Sequence, residues 1–171
     1  WDDRVSDHLP DFRMADPWVT QEFTVRDLLT HRSGLGSGAG DLMLWPEPAG
    51  FTRQEIVHNL RHLKPVTSFR SEYAYDNLLY IVAGEVVASI CGVSWETFVQ
   101  TRILDPLGMA CFSGDIPPDF LTNIATPYGT IDGEIVPISR NAIDGRVKVL
   151  GPAGGLICNA SGMATWMMTQ L

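Results

Sequence analysis

Tyr75 and Asn77 stand two residues apart in the stretch Phe69-Arg-Ser-Glu-Tyr-Ala-Tyr-Asp-Asn-Leu-Leu-Tyr80. A phenol can give or take a proton, and a carboxamide can both donate and accept hydrogen bonds. Directly after them an apolar run, about Leu78 to Ile90, reads as a helix. If the backbone turns at that helix start, both side chains can face one cleft. Backbone N–H groups and the helix dipole at such a place favour anionic groups. Alone, Tyr-x-Asn is a common tripeptide with little specificity, so its neighbours have to decide its meaning.

Three other constellations compete for a chemical role. His58 and His62 are four apart on a helix opened by the capping box Thr52-Arg-Gln-Glu55. That spacing suits zinc, but position 59 is Asn where a metalloprotease helix needs Glu, and no third ligand is evident. A solvated helix face is the preferred reading. Gly34-Leu-Gly-Ser-Gly-Ala-Gly40 could cradle a phosphate, but it has no preceding strand, no GxGxxG register and no Lys-Ser/Thr pair. It reads as a flexible loop that can still line a cleft, because bare backbone approaches a ligand closely. Cys91, Cys111 and Cys158 are odd in number without CxxC spacing, and read as buried free thiols rather than a zinc site or disulfide framework.

The elements that must position these groups are mostly helical. Residues 1–23, with Pro10 and Pro17, read as an extended lead-in. Thr24 opens a short helix from Val25 to about His31, with Gly34 as the glycine that ends it. Pro65 stops the helix that follows Thr52, and Cys91-Gly92 stops the apolar helix. Ser94 caps another helix carrying Trp95, Phe98, Val99 and Ile103. The pattern changes near Ile116, at Pro117-Pro118. Asp132-Gly133 between two β-prone runs signals a two-residue hairpin. Residues 139–151 read as loop, Gly151–Leu156 as a glycine turn, and a last helix starts near Ser161. The expected fold is mainly α with a small β-hairpin.

Composition narrows the function. The chain has 171 residues, 45% apolar and 19% charged, with a net charge of −8. Without a Lys/Arg cluster, that charge argues against a nucleic-acid or anionic-membrane surface. The longest apolar run contains Glu85 and is too short to span a bilayer. The chain starts at Trp1 and stops inside a helical pattern, which reads as a piece of a longer protein.

Five ordered segments carry a resemblance. They are Thr24-Val-Arg-Asp-Leu-Leu-Thr-His-Arg-Ser-Gly-Leu35, Tyr75-Asp-Asn77 with its helix, Ile103-Leu-Asp-Pro-Leu-Gly-Met109, Ala125-Thr-Pro-Tyr-Gly129, and Gly151-Pro-Ala-Gly-Gly-Leu156 with its helix. Together they resemble the serine hydrolases of the class C β-lactamase, D-Ala-D-Ala carboxypeptidase and esterase type. The resemblance implies a cleft between an α/β domain and a helical domain, with residues 1–171 as a single partial domain, the helical half, lacking most of the α/β part. It implies that Tyr75 is catalytic, exchanging a proton with a serine hydroxyl and the leaving group. It implies that Asn77 binds substrate and hydrogen-bonds a lysine. Asp76 replaces the commoner small residue, and Arg70-Ser71 stand where the family often has Pro-Gly.

The same resemblance implies a small-molecule amide or ester substrate, no cofactor and no metal. It places an S-x-x-K motif before Trp1 and a strand motif after Leu171. No serine here is followed three residues later by lysine. Residues 1–171 are therefore expected to be inactive alone and to self-associate through the face left by the missing domain. A non-catalytic helical interaction module derived from the same fold is the alternative.

Overall fold

The computed structural model describes residues 1–45, 50–113, 123–138 and 147–171. The first segment is partly helical where an extended lead-in was expected. Helix α1 spans Val5–His8 and α2 spans Pro17–Glu22. Pro17 sits in the first turn of α2, where its missing N–H and fixed φ suit a helix start. Val5, Phe12, Met14 and Phe23 bury into the main core, so this stretch is part of the body of the fold.

Helix α3, Val25–Leu29, begins with the anticipated capping box: Thr24 and Asp27 satisfy each other's backbone N–H groups. It stops short of His31, which takes φ +55°. His31, not Gly34, is thus the left-handed residue that turns the chain out of α3. Gly34 is needed for a different reason. Its φ is +89°, and a Cβ there would lie 2.8 Å from the Thr67 carbonyl oxygen.

Helix α4, Arg53–Asn59, carries the complete Thr52–Glu55 capping box and tightens into a 3₁₀ turn, Leu60–His62. His58 and His62 are exposed. Among the described residues no group of His, Cys, Asp and Glu is arranged to hold a metal.

The apolar run forms α5, Asn77–Cys91, capped by Asp76 and closed by Gly92 at φ +70°. Leu78, Leu79, Ile81, Val82 and Val86 are buried along it. Each such side chain contributes about 1.5–3 kcal/mol by leaving water. With α1, α3 and α4 packed around it, α5 is the axis of the core. Among the described residues no single helix is long and apolar enough to cross a membrane.

Helix α6, Trp95–Val99, is capped by Ser94 and runs through one π turn, Gln100–Leu104, into α7, Asp105–Leu107. Val99, Leu104, Met109 and Cys111 form a second, smaller core. Strand β1 is Cys111–Ser113. The predicted hairpin is present as β2, Tyr128–Ile131, and β3, Glu134–Pro137. Asp132 and Gly133 take φ +51° and +87°, the two left-handed positions that a tight primed turn requires.

Residues 147–154 are helical, as α8, Val147–Gly154, rather than loop and glycine turn. The remainder of the expected 139–151 loop, and the change of pattern near Ile116, lie outside the described residues. Gly84 of α5 meets the Pro152 ring of α8 so closely that a Cβ would stand 2.2 Å from Pro152 Cγ. Strand β4, Leu156–Cys158, leads to α9, Ala160–Thr169, whose cap is Asn159.

Two expectations are corrected at this end of the chain. Strands β1 and β4 pair antiparallel, adding a second two-stranded piece to the hairpin. Cys111 faces Cys158 in that pairing, and the two form a disulfide across 47 positions, while Cys91 is free and exposed. Cysteine spacing could not reveal this bond, because it depends on which strands meet. The architecture of the described residues is mainly helical with two small antiparallel sheets.

Candidate active site

Tyr75 and Asn77 bracket Asp76, whose backbone is extended at φ −145° and ψ 120°. Along extended backbone successive side chains point to opposite sides. Asp76 points inward and is fully buried, whereas Tyr75 is 47% exposed and Asn77 is partly exposed. The alternation therefore places the phenol and the carboxamide on one face, at the first turn of α5.

The glycine loop forms one flank. The Gly38 N–H donates to the Tyr75 carbonyl at 2.8 Å. Asn77 Nδ2 donates to Asp41 Oδ1 at 3.4 Å. Gly40, at φ +79°, rests on Leu78, where a Cβ would fall 2.3 Å from Leu78 Cδ1. The loop expected to line a cleft thus holds the Tyr75 backbone, and Asp41 directly after it holds the Asn77 side chain.

His31 forms the other flank. Its ring lies 4.7 Å from Tyr75, 5.0 Å from Tyr80 and 5.5 Å from Tyr73, centroid to centroid. His31 Nδ1 accepts the Asp76 N–H at 3.2 Å, and its carbonyl accepts the Ala74 N–H at 2.8 Å. The Tyr80 hydroxyl donates to the Leu29 carbonyl at 3.1 Å. Burial holds the His31 imidazole below its ordinary pKa, favouring the neutral ring whose Nδ1 can accept. Neither His31 nor Asp41 had a role in the sequence. Both are far from Tyr75 along the chain, and no spacing rule links them.

The segment leading to Tyr75 is clamped by Arg70, at φ +64°. Its guanidinium donates to both oxygens of Asp27, at 2.9 and 2.7 Å, and to the Glu22 carbonyl at 3.0 Å. It also covers the Phe69 ring at 4.5 Å. Burial alone would raise the Asp27 carboxyl, but hydrogen bonds from Arg70 and Thr24 outweigh it and hold the group below the usual carboxylate range. Arg70 N–H donates to the Arg32 carbonyl at 2.8 Å, and the Arg32 guanidinium donates to the Arg70 carbonyl. Residues 31–32 therefore grip residues 70–76 through four hydrogen bonds, to the backbone of Arg70, Ala74 and Asp76.

Asp76 is the unusual group. Its Oδ1 accepts the Leu78 N–H at 2.8 Å, but Oδ2 has no hydrogen-bond partner among the described residues. Burial pushes its pKa up to about 6, against the lowering effect of the nearby Leu78 and Leu79 backbone N–H groups, with Asp41 adding to the rise. Charge is poorly tolerated under this site.

The Beta-lactamase family profile matches residues 1–171. An unguisins hydrolase of Aspergillus violaceofuscus is 34% identical over 102 residues, covering 58% of this chain and 18% of that protein. A second unguisins hydrolase, from Aspergillus campestris, is 29% identical over 175 residues, covering 94% of this chain and 30% of its own length. Among solved structures, a class C β-lactamase superposes with a TM-score of 0.73 at 23% identity, covering 99% of this chain and 44% of that one. The chain thus spans less than half the length of each of these proteins. With the profile matching end to end and the fold in agreement, the chain belongs to the Beta-lactamase family.

Proposed function

We propose that residues 1–171 form one wall of the active site of a β-lactamase-like serine hydrolase that works through an acyl-enzyme on an amide or ester: a β-lactam, a D-Ala peptide or a carboxylic ester. Tyr75 is the proton-exchanging phenol and Asn77 is the substrate-binding amide. The observation that carries this reading is the pair of outward side chains around buried Asp76. A serine hydroxyl needs a base to take its proton before it can attack a carbonyl. Tyrosine ordinarily titrates near 10, so a phenol acting as that base needs a cation close by. A lysine in a second wall supplies it, together with the serine and the oxyanion-hole N–H groups.

On this reading residues 1–171 are a single partial domain, the helical half of the molecule. Exposed Trp166, Met167 and Met168 on α9 offer apolar surface on which the other half, or a second copy of the chain, would pack.

The test compares purified residues 1–171 with the complete gene product that contains them, using a chromogenic β-lactam and a p-nitrophenyl ester. The short chain is expected to give no turnover. In the complete protein Tyr75→Phe is expected to lower kcat by roughly 10²–10⁴-fold, the range for a lost general acid–base. Robust turnover by residues 1–171 that disappears in Tyr75→Phe would refute the two-wall arrangement and point to a self-contained site.

A further inference from the structure

We infer that His31 is the positioning residue for Tyr75, setting the plane of the phenol through its ring and the path of the Tyr75–Asp76 backbone through Nδ1. This rests on the reading of Tyr75 given above, but its geometry stands apart from that reading.

Three observations converge on His31. Its ring is tilted by 37° against Tyr75 and stacked at 23° on Tyr80, so it lies between the exposed phenol and a phenol of α5. Tyr80 is itself anchored by its hydroxyl to Leu29, which makes the stack rigid from the core outward. Nδ1 then takes the Asp76 N–H, the peptide group joining Tyr75 to Asp76. One side chain thereby constrains both the ring of Tyr75 and the peptide that carries it.

The backbone of His31 is part of the device. A non-glycine residue at φ +55° is uncommon and strained, and Asn, Asp and His tolerate it best. That conformation directs the His31 carbonyl to the Ala74 N–H while the ring reaches Asp76. The acceptor works only while Nδ1 carries no proton. The ionisable groups facing the ring are the three phenols and, through the Asp76 peptide, the Asp76 carboxyl, with Asp41 beyond it.

Two substitutions separate the functions of the side chain. His31→Phe keeps an aromatic ring and removes the acceptor. His31→Asn tolerates the left-handed backbone and puts an oxygen near the position of Nδ1. In the complete gene product we expect His31→Phe to lower kcat by about 10- to 100-fold, the scale of a displaced catalytic group, with KM changed less than about threefold. His31→Asn, which restores an acceptor but not the ring, is expected to recover only the part of that loss that comes from the Asp76 contact. Hydrogen exchange at the Asp76 amide should speed up by about five- to tenfold in His31→Phe and stay close to the parent in His31→Asn.

Unchanged Asp76 exchange in His31→Phe, or a kcat unchanged in both variants, overturns the proposal. If Tyr75→Phe leaves kcat unchanged, the catalytic reading of Tyr75 fails, and amide exchange still decides whether His31 positions it. If His31→Phe does not fold, protonation gives the same perturbation without a substitution. In an Asp76→Asn background, a Tyr75 ring signal in NMR that follows the His31 titration supports the proposal, and one that ignores it overturns it.

Discussion

Asp76 puts a carboxyl where a charge is poorly solvated, and that sets a pH signature. Its ordinary value is 3.8 and burial raises it to about 6. Between those values the folded state binds more protons than the unfolded chain. Stability therefore falls as pH rises through that window, by about 3 kcal/mol, and stays low above it. His31 acts in the opposite sense. Its lowered pKa means that stability climbs as pH rises toward its ordinary value of 6.5. Asp76→Asn keeps an acceptor for the Leu78 N–H and removes the ionisation. Urea denaturation from pH 4 to 8 should show the variant about 1–3 kcal/mol more stable at pH 7.5, with the descent gone and the His31 rise exposed. An unchanged descent would assign it to another group. The spacing of Tyr75 and Asn77 at the start of α5 was legible in the sequence because it is local. His31 and Asp41 were not, since they meet the pair only through the fold.

At the level of elements, α4, α5, α6 and α8 converge on Arg53. Its guanidinium pairs with Glu96, approaches Glu85 at 3.7 Å and donates through Nε to the Val149 carbonyl at 3.1 Å. Arg53 and Glu85 side chains are only 11% and 13% exposed, and Gln54 adds a bond to Glu85 at 2.9 Å. Removing the cation would strand two carboxylates in a poorly solvated place. Arg53→Ala is expected to lower stability by about 3–5 kcal/mol. Adding Glu85→Gln and Glu96→Gln to that variant should restore part of the loss, because the uncompensated charges are what destabilise it. Chemical denaturation of the three proteins reads this directly, and no recovery in the triple variant would reduce Arg53 to a packing role. The starts of α3 and α4 were legible as capping boxes, which are closed within four residues. Helix α8 was not. Its glycines and Pro152 oppose helix by propensity, and it exists because Gly84 leaves room for Pro152 and Arg53 binds Val149.

For the whole molecule, the disulfide is a long-range covalent tie outside the helical core. Cys111–Cys158 closes a loop of 47 positions that contains the β2–β3 hairpin and α8. Closing a loop of that length in the unfolded chain corresponds to about 4 kcal/mol in the chain-entropy account. Adding a thiol reductant, or Cys111→Ser with Cys158→Ser, should therefore lower stability by about 2–4 kcal/mol in thermal and urea unfolding. Mass spectrometry after alkylation of the unfolded, unreduced protein should label Cys91 alone. Three labelled cysteines, with no response to reductant, would show the bond is not formed in solution.

The sequence by itself determined the helix caps, the Asp132-Gly133 turn, the central apolar helix and the two-residue spacing of Tyr75 and Asn77 at its start. Each depends on residues within a few positions of one another, where spacing translates directly into geometry. Only the tertiary structure decided that Asp76 turns inward, that His31 and Asp41 flank the pair, and that Cys111 meets Cys158. Those relations join residues distant in the chain. They are set by how helices and strands pack, which no local pattern records.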